Sequence, residues 1–205
     1  MEIFTIGYAG FDIENFIKVL KEHHINSLID VRSSPFSKIY SDYNKPLLHK
    51  TLQNRGIIYR NYNREFGARQ EDKMYYPNGY LDFSMFTRSR MFIEGMEKII
   101  KAIPLGYKFV LMCSEKDPIT CHRTIMVGKA FFDKGISINH ILSDGQITTQ
   151  SDIETRLLDM YYPDRDQLTL FGEQLSIEEM IKNCYRFQNE KIAYRIDNDE
   201  ENYYD

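Results

Sequence analysis

Two short segments carry the side chains most able to do chemistry, Cys113-Ser114-Glu115 and Cys121-His122-Arg123. Together they offer two thiols, a carboxylate, an imidazole and a guanidinium within eleven positions. Three uses of that set are open. Cys113, Cys121 and His122, joined by Glu115 or His140, are the donor types of a zinc or iron site, although the spacing is not that of a ribbon or finger. Cys121, opening a helix beside Arg123, has the setting of a low-pKa thiolate nucleophile, because a helix N-terminus and a cation both stabilise negative charge. Alternatively both cysteines pack as small hydrophobic groups. A third cysteine, Cys184, lies far along the chain.

A second group follows an earlier apolar run: Asp30-Val31-Arg32-Ser33-Ser34-Pro35. Arg32 and Arg123, with Ser33 and Tyr8, are the candidate anion-binding residues. Cys121, His122, Glu115 and Asp30 are the candidate catalytic ones. Arg123 near a helix start suits a phosphate or carboxylate, since the first backbone N–H groups lack intrahelical partners. The opposing reading is a buried Asp30–Arg123 ion pair that fixes the loops.

The elements that must position these groups read as α/β. Apolar strands are expected at Glu2–Ile6, Ser27–Val31, Ile57–Tyr59, Lys108–Met112 and Ile136–Ile141. Helices fall between them: one capped by Asp12 and running to His23, one over Pro46–Arg55 stopped by Gly56, one over Ser89–Ile103, and one from Cys121 to Lys134 capped by Thr120. This alternation predicts a mostly parallel sheet with helices on both faces, a Rossmann-like three-layer domain over residues 1–150. Ligands of such sheets bind beyond the carboxyl ends of the strands, and Gly7-Tyr8, Asp30–Pro35 and Cys113–Glu115 all fall there. Residues 60–88 show no clear element. An acidic helical extension is expected over 151–205, with helices at Ile153–Met160 and Ile177–Phe187.

The chain has 205 residues, 42% of them hydrophobic, so a packed core is expected. No apolar run approaches the ~20 residues that span a bilayer, and the start lacks the pattern of a signal peptide. Three cysteines are too few for a disulfide scaffold, so a reducing cytoplasm is the expected compartment. The net charge of −4 is uneven: residues 32–69 sum to +6 and residues 152–205 to −8. That balance argues against indiscriminate coating of DNA but permits a local anion surface. Within the basic block, Tyr59–Arg69 interleaves aromatic and arginine residues, a composition suited to nucleic acid or nucleotide. The competing reading is that these tyrosines cover the sheet edge.

The segments TIGYAG, LIDVRSSPFS, GIIY, FVLMCSEKDPITCHR and INHIL together resemble the domain-of-unknown-function family 488 over about residues 2–145. The resemblance implies a cytoplasmic α/β protein of unestablished biochemical role. It marks Gly7, Tyr8, Asp30, Arg32, Ser33, Pro35, Cys113, Glu115, Cys121, His122 and Arg123 as motif positions. One departure is that the family's Leu-Gly-Gly reads Phe66-Gly67-Ala68 here. The strand ending in Asp-Val-Arg is also similar to rhodanese-like domains, but the cysteine region lacks their single active-site loop.

Gln167-Leu168-Thr169-Leu170-Phe171 resembles the peptide by which bacterial proteins dock on the DNA sliding clamp, with Gln167, Leu168, Leu170 and Phe171 as contact residues. The alternative is a short apolar stretch packed on the core. The leading expectation is an enzyme, or former enzyme, of nucleic-acid metabolism that holds a phosphate-bearing ligand at the strand ends. The alternatives are a non-catalytic nucleic-acid or clamp adaptor, and a thiol- or metal-dependent enzyme acting on a small anionic metabolite.

Overall fold

The computed structural model describes residues 1–165 and 175–196. In chain order the main elements are β1 (Glu2–Gly7), α1 (Ile13–Glu22), β2 (Ser27–Asp30), α2 (Lys45–Asn54), β3 (Ile58–Asn61), α3 (Asn63–Phe66), α4 (Phe83–Phe86), α5 (Arg90–Ala102), β4 (Phe109–Cys113), α6 (Lys129–Phe132), β5 (Ser137–Ile141), β6 (Ile147–Thr149), α7 (Gln150–Tyr161) and α8 (Ile177–Ile192). Six strands form one sheet in the order β3-β2-β4-β1-β5-β6. All neighbours are parallel except β5 and β6. The mostly parallel α/β sheet expected from the strand-helix alternation is therefore present. The antiparallel β6 was not anticipated, because Ile-Thr-Thr is too short to leave a pattern.

Strand pleating sends successive side chains to opposite faces. On one face, Ile29, Phe109, Leu111, Cys113 and Ile138 join a cluster with Phe92 and Met96 of α5, Ile153 and Leu157 of α7, and Met180 and Cys184 of α8. On the other, Leu28, Val110, Met112 and Ile6 pack with Phe16 and Leu20 of α1 and Leu48 and Leu52 of α2. Helices therefore cover both faces. Among the described residues, no helix is long and apolar enough to cross a membrane.

Local sequence explains most boundaries. Asp12 caps α1 by accepting from the Asn15 amide at 2.9 Å. Ser89 caps α5 by accepting from Phe92 N. Thr149 with Asp152, and Ser176 with Glu179, form reciprocal capping boxes on α7 and α8. The stretch from 60 to 88 contains α3, α4 and a 3₁₀ turn at Lys73–Tyr75, each too short for a helical period to show. Thr120 does not cap the cysteine helix. It closes a 3₁₀ turn, Pro118–Thr120, which Asp117 caps by accepting from Ile119 N at 3.2 Å. The helix that follows opens as a π-helical segment, Arg123–Gly128, all six residues buried, and continues as α6.

Two glycines are needed for different reasons. Gly56 ends α2 at φ +75° in open space. Gly7 ends β1, and a Cβ there would lie 1.8 Å from the Glu115 carbonyl oxygen and 3.1 Å from Arg123 Nη1. Gly56→Ala is expected to cost about 1 kcal/mol from backbone strain alone. Gly7→Ala is expected to cost about 3 kcal/mol, through overpacking against backbone that cannot retreat. Urea denaturation of both variants checks the contrast, and equal losses would contradict the close-packing account.

Candidate functional site

The carboxyl end of β4 delivers Cys113, and the chain then makes a tight return. The 3₁₀ turn at Pro118–Thr120 brings Cys121 and His122 back over Cys113 and Glu115. Four donor atoms, one each from Cys113, Glu115, Cys121 and His122, lie within 4.8 Å of one another. The two thiols and the imidazole are buried, and Glu115 is partly open to solvent. His122 Nδ1 is 3.8 Å from Cys113 Sγ and 3.9 Å from Cys121 Sγ. Its other nitrogen, Nε2, donates to the Val31 carbonyl at 3.0 Å. A carbonyl only accepts, so the proton sits on Nε2 whenever the ring is neutral, and the Nδ1 lone pair then faces the two sulfurs. Cys121 Sγ–H donates to Glu115 Oε2 at 2.8 Å, and Ser114 Oγ donates to Oε1 at 2.9 Å.

The charges of the cluster are coupled. Burial works to raise the Glu115 pKa, but the His122 charge and the thiol hydrogen bonds outweigh it and bring it to about 2. Burial pushes the Cys121 thiol well above its ordinary value, and Cys113 and Glu115 add to that. Burial opposes a charge on His122, yet Cys121 and Glu115 raise its pKa overall. A reactive thiolate at Cys121 needs access and a lowered pKa. The residue is 1% exposed and shifted the opposite way, so the geometry gives the nucleophile reading neither.

Arg123 lies beneath the cluster and is 0% exposed. Its Nη1 donates to the Glu115 carbonyl at 2.6 Å and its backbone N–H points to Cys121 Sγ at 3.4 Å. Nε and Nη2 have no hydrogen-bond partner among the described residues. Arg32 is committed elsewhere. Its Nε and Nη2 reach the two carboxylate oxygens of Asp30 at 2.8 and 2.6 Å, and Nη2 also donates to the Tyr43 carbonyl. Tyr59 OH donates to the same carboxylate at 2.7 Å. Burial works against the Arg32 charge, and Asp30 more than compensates, raising its pKa. The buried ion pair is thus Asp30–Arg32 rather than Asp30–Arg123.

Pleat parity separates the two arginines. Asp30 shares the α1/α2 face with Leu28, and Arg32 folds back on it beside Tyr8 and Tyr43. Gly7 and Cys113 present the opposite face, where Arg123 sits. The structure does not bring Arg32 and Arg123 to one cleft. Ser33 Oγ accepts from the Arg69 amide at 2.9 Å, and Tyr8 is buried in a stack on Tyr43 with ring centroids 4.3 Å apart. Of the candidates, Cys113, Glu115, Cys121 and His122 converge, with Arg123 supporting them, while Asp30, Arg32 and Tyr8 form a separate group. His140 is not a fourth donor.

His140 anchors a polar chain that composition did not reveal. Thr5 Oγ1 lies 2.8 Å from Nδ1, and Nε2 lies 3.0 Å from Gln150 Oε1. Gln150 Nε2 donates to Tyr185 OH, which donates to Glu154. The available signal was a histidine inside an apolar strand, INHIL. The tyrosines in the basic block and the loop after it mostly serve the core: Tyr59 and Tyr76 are buried, and Tyr62, Tyr75 and Tyr80 pack against the cluster that includes Phe66 and Phe86. Gly67 is required by close approach, since a Cβ would meet the Asn63 carbonyl at 2.2 Å, and neither it nor Ala68 has a positive φ. The clamp-like peptide, with Gln167, Leu168, Leu170 and Phe171, lies outside the described residues.

The family model for DUF488, a domain of unknown function, matches residues 12–129, more than half of the chain. The chain belongs to the DUF488 family. No curated protein and no solved structure matches it at a significant level. The DUF488 match ends just after the π-helical segment, so α7 and α8 lie outside it. They nevertheless hold the cysteine loop: Arg156 of α7 pairs with Asp117 at 2.9 and 3.1 Å, and Gln188 of α8 donates to the Ile119 carbonyl at 2.6 Å.

His140 gives a pH-dependent expectation. Burial, then the Arg123 charge, depress its pKa from 6.5 to about 3. The unfolded chain therefore binds a proton first as pH falls, and stability present above pH 6.5 is lost progressively toward pH 3. Between pH 7 and 5 this residue should remove about 2 kcal/mol. Urea titrations of wild type and His140→Asn at both pH values test this. A variant with the same pH slope as wild type would exclude His140 as the source.

Proposed function

We propose that this DUF488 protein is a metal-dependent enzyme in which Cys113, Glu115, Cys121 and His122 hold one divalent transition ion, zinc or iron(II), and that its substrate is a small anionic metabolite. The observation that carries this reading is the convergence of four donor atoms within 4.8 Å, with His122 held through its far nitrogen by the Val31 carbonyl. Two thiols with an imidazole are a soft set that favours zinc or iron over magnesium or calcium. An outer hydrogen bond that fixes the ring is the usual support of a metal-bound histidine. Glu115 is the one donor open to solvent, and Ser114 holds one of its oxygens. It is thus the ligand best able to give way to an incoming anion, leaving three protein ligands and one exchangeable position. The position at the strand carboxyl edge supports catalysis over a purely structural role.

Phosphate recognition by Arg32 and Arg123 has less support, because one is paired with Asp30 and the other has no access to solvent. In this reading the anion meets the metal rather than a guanidinium clamp. A reducing cytoplasm suits such a centre, since its ligands must remain thiolates.

Protein purified without chelator or added metal should carry about one zinc or iron per chain by elemental analysis. Cys121→Ser and His122→Ala should lose most of it, whereas Cys184→Ser, whose thiol contacts the Leu157 carbonyl, should retain it. Wild-type protein that neither carries nor takes up zinc, iron(II) or cobalt(II) would refute the metal reading.

A further inference from the structure

A second site lies on the same face of the sheet as the cysteine cluster but at the opposite end of the strands. Ser27 and Phe109 open β2 and β4, and Cys113 closes β4 about 13 Å further along at ordinary strand rise. Between this end of the sheet and α5 is a cleft of about 170 Å³. Its walls include Phe109 and Tyr107, stacked on one another, Tyr62 beyond the end of β3, and aliphatic residues of β2, β3 and α5. Arg60 of the edge strand β3 and Lys98 of α5 are its charged residues, both exposed, and no carboxylate lines it. Glu94, one turn before Lys98, is paired with Arg90 at 2.6 Å. The Ser27 hydroxyl at the wall of the cleft is buried and lacks a hydrogen-bond partner.

Each feature restricts the ligand. The volume is below the 300 Å³ or so at which sites for drug-sized molecules begin, so it admits one ring system rather than an extended molecule. Aromatic and aliphatic walls favour a flat ring. A buried hydroxyl without a partner is costly to leave unmet, so the ring should carry polar atoms on its edge rather than be a plain hydrocarbon. Two exposed cations with no acid among the lining residues place an anionic group outside the cleft, at its mouth. We infer that this cleft binds a nucleoside monophosphate, with the base inside against Tyr107 and Ser27 and the phosphate between Arg60 and Lys98. The site uses only Arg60 and Tyr62 from the aromatic and basic stretch at 59–69. It is independent of the metal reading, since it shares no residue with that centre.

The test is calorimetric titration of the full chain with AMP, GMP, CMP and UMP, with the matching nucleosides and with inorganic phosphate. At least one monophosphate should saturate the protein with 1:1 stoichiometry, and its nucleoside and inorganic phosphate should each bind at least about tenfold more weakly, as expected for loss of a charged contact. Arg60→Gln combined with Lys98→Gln changes only exposed positions, and should weaken binding by about tenfold or more while the melting temperature holds. Ser27→Ala should weaken it without altering the contribution of the phosphate. Absence of saturable binding by all four monophosphates into the millimolar range would overturn the proposal. So would a nucleoside or free phosphate that binds as tightly as the nucleotide, or binding that survives the double substitution unchanged.

Discussion

The carboxyl edge of this sheet depends on one buried contact, from Arg123 Nη1 to the backbone carbonyl of Glu115 at 2.6 Å. It passes through space that only a glycine at position 7 leaves empty. Tyr8 N donates to the Cys113 carbonyl and Ala9 N to the Ser114 carbonyl, which keeps β1 and β4 side by side past the end of the regular ladder. Arg123 then fixes the next carbonyl from below. With the Glu115 backbone held, its carboxylate points at Cys121, and the helix that carries Arg123 also carries His122 to Cys113. Glycine, arginine and the two cysteines are therefore one packing problem rather than four separate features.

Burial of so many ionisable groups is tolerable only because each has an electrostatic answer. Asp30 and Arg32 neutralise one another, with Tyr59 donating to the carboxylate and the Tyr43 carbonyl accepting from Arg32 Nη2, while Arg32 Nη1 has no partner among the described residues. His140 remains neutral between Thr5 and Gln150. Arg123 is the exception: among the described residues no carboxylate lies within ion-pair distance, and two of its nitrogens lack partners. A buried cation left in that state is expensive. Two thiolates and a carboxylate around a divalent ion, as proposed, carry a net charge of −1 directly above it. The guanidinium and the proposed centre then stabilise one another, which gives a physical reason for placing an arginine where no solvent reaches.

The strands were legible because continuous apolar runs such as Phe109–Met112 and Leu28–Ile29 have no other fate in a chain with short helices between them. Asp12, Ser89 and Gly56 marked helix ends through chemistry that acts within a few residues. The cysteine cluster was legible as a list of donors but not as a geometry, since the return through Pro118–Thr120 depends on Asp117 as a cap and on contacts from residues more than thirty positions away. The fate of the arginines was illegible for a related reason. Arg32, two residues past the end of β2, pairs with Asp30 on the same face of the sheet, whereas Arg123 enters from a helix on the other face. Proximity to strand ends did not distinguish the two faces, and pleat parity did. The Thr5–His140–Gln150 chain left only a histidine in an apolar strand, because its members come from three separate elements, β1, β5 and α7.

The C-terminal helices α7 and α8 show how a site can be supported from outside the segment that defines its family. Gln188 is 1% exposed and uses its amide to satisfy the Ile119 carbonyl, a backbone group in the turn between the two cysteines. Asn189, its neighbour, bonds both the Phe83 amide and the Leu81 carbonyl at 2.9 and 2.8 Å, fixing the start of α4. Tyr185 continues the polar chain from His140. One helix thus holds the cysteine turn and the start of α4 through side-chain amides that pair with backbone, and α7 through a hydroxyl, all without introducing a charge. A charged residue in place of Gln188 would bury a charge without a counter-ion, whereas the amide satisfies the Ile119 carbonyl without one.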